Sequence, residues 1–255
     1  MSTSLFDLKG KVALVTGSTS GLGKAISGGL AAAGATVIVN GRNVERLNES
    51  VAALKARGLK AEGHAFDVTS EAAVIDAVAR IEREVGPIDI LVNNAGIQRR
   101  QPLVEMSEAT FEEVIRTNLT SLFLVGRTVA KGMIARKRGK IVNIASLASE
   151  VARKTIGPYT AAKGGVRQLT KTMCVEWAEY NIQTNAIGPG YFRTELNRAL
   201  WSDADFNKWV TARTPAARWG EPEELIGAAV FLSSAASDFM NGQTIYVDGG
   251  LLASM

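Results

Sequence analysis

One stretch holds a serine, a tyrosine and a lysine at a spacing that can move a proton. It runs from Ser146 to Lys163, SLASEVARKTIGPYTAAK, directly after the apolar run Ile141 to Ala145. With the chain helical from Thr160 onward, Tyr159 and Lys163 share one face, one turn apart. An ammonium beside a phenol favours the phenolate and lowers the tyrosine pKa from about 10 toward neutrality, and a change of about three units corresponds to about 4 kcal/mol. A phenol tuned in this way donates and accepts a proton near pH 7. Tyr-x-x-x-Lys is common on helix surfaces, so the stretch carries chemistry only if the rest of the chain brings a cofactor and a pocket to it.

The elements that must position it alternate. Lys11–Thr16, Thr36–Asn40, Ala61–Phe66, Ile88–Val92, Lys140–Ala145, Ile182–Ile187 and Thr244–Val247 are short, mostly β-branched runs and are predicted as seven strands. Helical spacing lies between them. It follows Gly23 and stops at Gly34, and covers Val44–Ala56 (Asn43 as cap) and a stretch capped by Thr69 or Ser70 and ended by Gly86-Pro87. A long helix containing Asn118 ends near Arg136, and others cover Pro158–Tyr180 and Glu221–Ser233. Gly188-Pro-Gly190 breaks the chain. Residues 191–220 carry Trp201, Trp209 and Trp219 but no strong strand, and are predicted as short helices forming a substrate flap. The expected fold class is α/β: one doubly wound domain over residues 1–255, with a mainly parallel sheet and helices on both faces. Ligands of such sheets bind outside the carboxyl ends of the strands, where Gly17–Gly23, Arg42, Asp67, Asn94, Ser146 and Pro189 all lie.

Composition narrows the chemistry. The 255 residues are 46% apolar with a net charge of +4, enough for a sizeable core and mildly attractive to an anionic ligand. Basic residues are scattered without an aromatic-studded stripe, so nucleic acid is not an expected partner. No apolar run of membrane-spanning length and no leader-like N-terminus is read, so no membrane partner is expected, and Cys174 as the single cysteine points to a reducing, cytoplasmic setting. His64 is the only histidine and no G-x-S-x-G turn exists, which argues against a Ser-His-Asp hydrolase. One histidine and one cysteine also argue against a metal site.

The glycine stretch Gly17-Ser-Thr-Ser20-Gly21-Leu22-Gly23 follows a strand and opens a helix, where backbone can approach a pyrophosphate at the positive helix end. Its spacing is looser than G-x-G-x-x-G. About 20 residues on, where an acid would bind the ribose of NAD, the chain has Asn40-Gly41-Arg42. Arg42 is either a solvated surface arginine or a fork for a 2′-phosphate. The second reading makes NADP the expected cofactor.

These motifs, in order, resemble the short-chain dehydrogenase/reductase family, whose sheet is of the Rossmann type. Thr16-Gly17-x-x-x-Gly21-x-Gly23, Asn93-Asn94-Ala95-Gly96, Ser146, Tyr159-x-x-x-Lys163 and Pro189-Gly190 carry the likeness over nearly the whole chain. The resemblance implies an NAD(P)-dependent alcohol dehydrogenase or ketoreductase. In it Tyr159 is the general acid/base, Lys163 lowers its pKa and holds the nicotinamide ribose, Ser146 hydrogen-bonds the reacting oxygen and Asn118 supports a water relay. It also implies that Asp67 and Val68 contact adenine, that Asn94, Ala95 and Gly96 follow the adenosine ribose, and that Thr194 binds the carboxamide. NADP-dependent members often carry a cation just before the second motif glycine; Ser20 stands there, which leaves NAD open as well. Family likeness further implies a homotetramer that pairs through 107–136 with 157–180, and through the last strand with 221–233. Small residues such as Ala161, Ala162, Gly164 and Gly165 permit close packing there.

For the substrate, Arg99 and Arg100 follow the Asn94–Gly96 loop, and Glu150, Arg153 and Lys154 lie between Ser146 and Tyr159. So many charges disfavour a lipid; arginine pairs with carboxylate and Glu150 accepts from sugar hydroxyls. Asn94-Ala-Gly-Ile-Gln-Arg-Arg100, Asn181-Ile-Gln183, Gly190-Tyr-Phe192, Thr214-Pro-Ala-Ala-Arg-Trp-Gly220 and the run Gly227 to Ser234 resemble the gluconate 5-dehydrogenase branch of the family. That implies a sugar-acid substrate. A 2-deoxy-D-gluconate 3-dehydrogenase, a 3-oxoacyl reductase and a non-catalytic dinucleotide-binding regulator are the alternatives.

Overall fold

The computed structural model describes residues 3–254. Seven strands form one sheet in the order β3-β2-β1-β4-β5-β6-β7, and every pairing is parallel. They are β1 (Val12–Val15), β2 (Thr36–Gly41), β3 (Ala61–Ala65), β4 (Ile88–Asn93), β5 (Gly139–Ile144), β6 (Ile182–Pro189) and β7 (Thr244–Val247). The order reverses between β1 and β4, so a crevice opens there at the carboxyl ends.

Alternation along each strand feeds two cores. Ala13 and Val15 face one side, against Ile26 and Leu30 of α1 (Gly21–Ala32), Leu47 and Leu54 of α2 (Val44–Ala56), and a later helix. Val12 and Leu14 face the other, against Val74, Val78 and Ile81 of α3 (Glu71–Glu84). Asp89 interrupts the apolar run of β4; its carboxylate accepts from the Val12 N–H at 3.2 Å and lies 3.3 Å from Arg138. Caps fall where short polar side chains stand: Asn43 accepts from Arg46 N at 2.8 Å, and Ser70, rather than Thr69, caps α3. Thr69 instead bonds the Asp67 carboxylate.

The expected long helix before Arg136 is two helices, α4 (Glu108–Ile115) and α5 (Ser121–Arg136), joined by a wide turn at Arg116–Thr120. There the Ser121 N–H reaches back five residues to the Arg116 carbonyl. α6 (Gly157–Trp177) packs on β6 and carries Pro158 in its first turn, where no N–H is needed. β6 runs two residues past its expected end at Ile187, into the Gly188–Gly190 segment, because β7 pairs with it as far as Pro189. Gly188 is required there: a Cβ would stand 2.3 Å from the Tyr246 ring. The segment 191–220 holds α7 (Arg198–Trp201) and α8 (Ala204–Arg213), and α9 (Ile226–Ser233) completes the first core. No helix among the described residues is long and apolar enough to cross a membrane.

Candidate active site

A cavity of about 930 Å³ opens along the carboxyl edge of the sheet. One end is the glycine turn. Gly17 has φ +60°, and a Cβ there would meet the Ala95 Cα at 2.8 Å; a Cβ on Gly23 would meet Asn94 Nδ2 at 2.4 Å. Side chains at these positions would close the gap between turn and β4 loop. Asn40 pins the turn from β2, accepting from the Gly17 N–H at 3.1 Å. Asn94 pins it from β4, donating to the Thr16 and Gly17 carbonyls at 2.9 Å each. The Ser20 side chain makes no cap bond, so the first N–H groups of α1 face the cavity uncapped by it. This cradle fits a dinucleotide pyrophosphate.

Gly17, Ser20, Gly21, Leu22, Asp67, Val68, Asn94, Ala95, Gly96, Pro189 and Thr194 line the cavity, while Gly23 lies behind its wall. Burial pushes the Asp67 carboxyl up, but the Thr69 hydrogen bonds and the Arg42 charge outweigh it and leave it below its ordinary value. Arg42 also lines the cavity and pairs with Asp67 at 3.9 Å, and the pair is solvated.

Ser146, Tyr159 and Lys163 meet on the opposite wall. β5 delivers Ser146 in extended conformation, and its oxygen accepts from the Ala148 N–H at 3.1 Å. α6 presents Tyr159 and Lys163 on one face, as their spacing requires. The geometry differs from the expected phenol–ammonium pair. Lys163 Nζ donates to the Ile144 carbonyl at 2.5 Å and stands 5.6 Å from the centroid of the Tyr159 ring, over its face. Burial pushes the Tyr159 phenol up, against the pull of the Ser146 hydrogen bond and the Arg100 charge. Burial also pulls Lys163 down to about 8. Asn118 does not reach the wall. It sits in the wide turn, buried, and clamps Ile97 at both ends, accepting from its N–H at 2.7 Å and donating to its carbonyl at 2.8 Å. It shapes the Gly96–Gln98 loop that does line the cavity.

The expected substrate set is divided by the structure. Arg100 and Arg153 line the cavity. Arg99 turns outward into a two-point ion pair with Glu113, at 2.8 and 3.0 Å. Glu150 faces a different groove, accepting from Tyr246 Oη at 2.7 Å and pairing with Arg167 at 2.8 Å. Lys154 is exposed and off the wall.

The description "short chain dehydrogenase" matches residues 11–205 of the chain. The chain belongs to the short-chain dehydrogenases. Over 251 residues it is 54% identical to the gluconate 5-dehydrogenase of Gluconobacter oxydans, spanning 98% of each chain. It is 53% identical over 257 residues to the 2-dehydro-3-deoxy-D-gluconate 5-dehydrogenase of Formosa agariphila, spanning all of this chain and 97% of that one. The crystal structure of a gluconate 5-dehydrogenase from Burkholderia cenocepacia J2315, in complex with NADP and tartrate, superposes with a TM-score of 0.97 at 52% identity and 99% coverage of both chains.

Arg46, Tyr191 and Trp209 are among the residues of this short-chain dehydrogenase's cavity that sequence reasoning missed. Arg46, one turn into α2, lines it beside Arg42 and makes no ion pair among the described residues. Its signal was its place four residues after Arg42. Tyr191 and Trp209 of the flap also line the cavity, and only the flap's aromatic content pointed to them.

Proposed function

We propose that this short-chain dehydrogenase interconverts D-gluconate and 5-dehydro-D-gluconate with NADP(H). The observation that carries the reading is the pair of guanidiniums, Arg100 and Arg153, on the cavity wall near Tyr159, neither ion-paired among the described residues. A carboxylate answers them, and full-length relatives at over 50% identity act on gluconate by name.

NADP supplies the hydride acceptor for oxidation and the donor for reduction. The glycine turn and the α1 N-terminus would hold its pyrophosphate, and Arg42 with Arg46 its 2′-phosphate. Tyr159 takes the hydroxyl proton in oxidation and returns it in reduction. With its phenol held protonated by burial, it is set as the acid for ketone reduction at neutral pH. Ser146 orients the reacting oxygen, Lys163 brings positive charge to the floor of the site, and Asn118 positions the loop after β4. The flap over residues 191–220 covers the substrate end. The protein works in the cytoplasm as a homotetramer paired along α5 and α6 and along α9 and β7; exposed Phe123 and Val175 on α5 and α6 favour the first pairing.

The test is a panel of sugar acids, 5-dehydro-D-gluconate, 2-dehydro-3-deoxy-D-gluconate and 2-deoxy-D-gluconate, assayed with the NADP and NAD pairs. Highest kcat/KM with 5-dehydro-D-gluconate and NADPH is expected. Cofactor binding without turnover of any sugar acid would refute an enzymatic role.

A further inference from the structure

Arg153 is held in a way that its substrate-facing position alone does not require. It leaves the loop after β5, which is not part of the flap, yet its guanidinium is enclosed by flap side chains. The carbon at its centre stacks 4.5 Å from the Phe206 ring and 5.4 Å from the Trp209 ring, both on α8. One N–H donates to Tyr191 Oη at 3.0 Å. Tyr191 in turn meets Phe206, Trp209 and Trp219 edge-on, with centroids 5.4 to 6.0 Å apart. Trp219 closes the back of this box, fully buried and donating to Asn207 at 2.8 Å. Arg153, Tyr191 and Trp209 line the cavity, whereas Phe206 lies behind.

A guanidinium has five donors in a planar fork and is never deprotonated. Here one donor has a protein partner, and no carboxylate of the described residues pairs with the group. The ring faces compensate part of the charge but satisfy no N–H. Arg100 stands near enough for the two positive charges to repel. The cavity therefore offers free donors from two arginines whose mutual repulsion an anion between them would relieve.

We propose that Arg153 is the residue through which substrate carboxylate closes the flap: the anion occupies the free edge of its guanidinium, opposite Arg100, and the guanidinium so fixed holds Tyr191 and the Phe206–Trp209 face of α8 over the site. This rests on the hydroxy-acid reading of the cavity. It assigns Arg153 as the determinant that favours hydroxy acids over uncharged polyols, and makes the flap responsive to the charged end of the substrate, not to the reacting carbon.

The test compares 5-dehydro-D-gluconate with L-sorbose, which matches it except that CH2OH replaces the carboxylate. In Arg153→Met, KM for the acid should rise about 10- to 100-fold with kcat nearly unchanged, the span expected for losing a charge-assisted hydrogen bond. L-sorbose should lose much less kcat/KM than the acid does, and NADPH affinity together with the circular dichroism spectrum shows whether the variant folds. Arg153→Lys, which keeps charge but not the planar fork, should fall between. Hydrogen exchange over residues 204–213 supplies the flap readout. D-gluconate added to the NADPH complex should slow exchange there in the wild type but not in Arg153→Met. An unchanged KM for the acid, an equal loss on L-sorbose, or equal protection of α8 in both proteins overturns the proposal. Failure of the wild type itself to reduce 5-dehydro-D-gluconate refutes the proposed function instead. The exchange measurement then decides separately: protection of α8 by D-gluconate in the wild type alone upholds the role of Arg153, and no protection in the wild type overturns it.

Discussion

Lys163→Met tests how the ammonium under the active site is held. Lys163 is buried, its resolved partner is the Ile144 carbonyl, and no carboxylate pairs with it among the described residues. Burial lowers its pKa from 10.5 to about 8. The folded value lies below the unfolded one, so below about pH 8 both states are charged and the native state carries the whole cost of the buried charge. Above about pH 8 the native state sheds its proton first, and stability recovers until the unfolded chain also titrates near 10.5. The interval is worth about 3 kcal/mol at about 1.4 kcal/mol per unit of pKa. The methionine variant has no such proton. The unfolding free energy of wild type minus variant should therefore rise by about 1 kcal/mol between pH 7 and 9, and by about 2 to 3 kcal/mol by pH 10. Urea unfolding of both proteins, followed by circular dichroism at each pH, measures it. A difference that stays flat across this range would refute a charged lysine buried at neutral pH.

Other consequences of the geometry are as accessible. Arg42→Ala and Arg46→Ala should each weaken NADPH about 10- to 100-fold while moving NADH much less, since each removes a charge-assisted contact to the 2′-phosphate; equal losses for both cofactors, by fluorescence titration, would remove them from that site. Tyr159→Phe should lower kcat by about 10²–10⁴, the range for losing a general acid, with NADPH affinity kept; near wild-type turnover would contradict the role. Gly188→Ala should cost about 1–3 kcal/mol, because its Cβ falls 2.3 Å from the Tyr246 ring and must displace that side chain; an unchanged melting temperature would show that the ring yields freely.

Much of this site was legible because the chemistry is tied to chain order. The glycine turn, Arg42, Asp67, Asn94, Ser146 and Pro189 each follow a strand, and a parallel sheet brings every such position to one edge. Tyr159 and Lys163 were legible from helical spacing. What the sequence hid was direction. Arg99 and Arg100 are neighbours of one type, yet one pairs with Glu113 and the other faces the cavity. The insert Glu150–Lys154 suggested a sugar acid through its charges, but of them only Arg153 reaches the cavity, since Glu150 has Arg167 and Tyr246 on the far side. Spacing placed Lys163 beside Tyr159 but said nothing of the Ile144 carbonyl that its nitrogen bonds. The wide turn at Asn118 is a hydrogen-bond shift of one residue, and helical periodicity is blind to it.

The sheet order also sets a timetable. β1 lies between β2 and β4, and the Thr16 N–H bonds the Val92 carbonyl, 76 residues away. A chain emerging from the ribosome thus makes its glycine turn long before it makes the Asn94 side chain that ties the turn down. Contacts so distant in sequence form slowly, because the loop must close before they return anything. The nascent chain therefore carries its glycine turn for more than seventy residues of synthesis before the Asn94 side chain that fixes its shape is made.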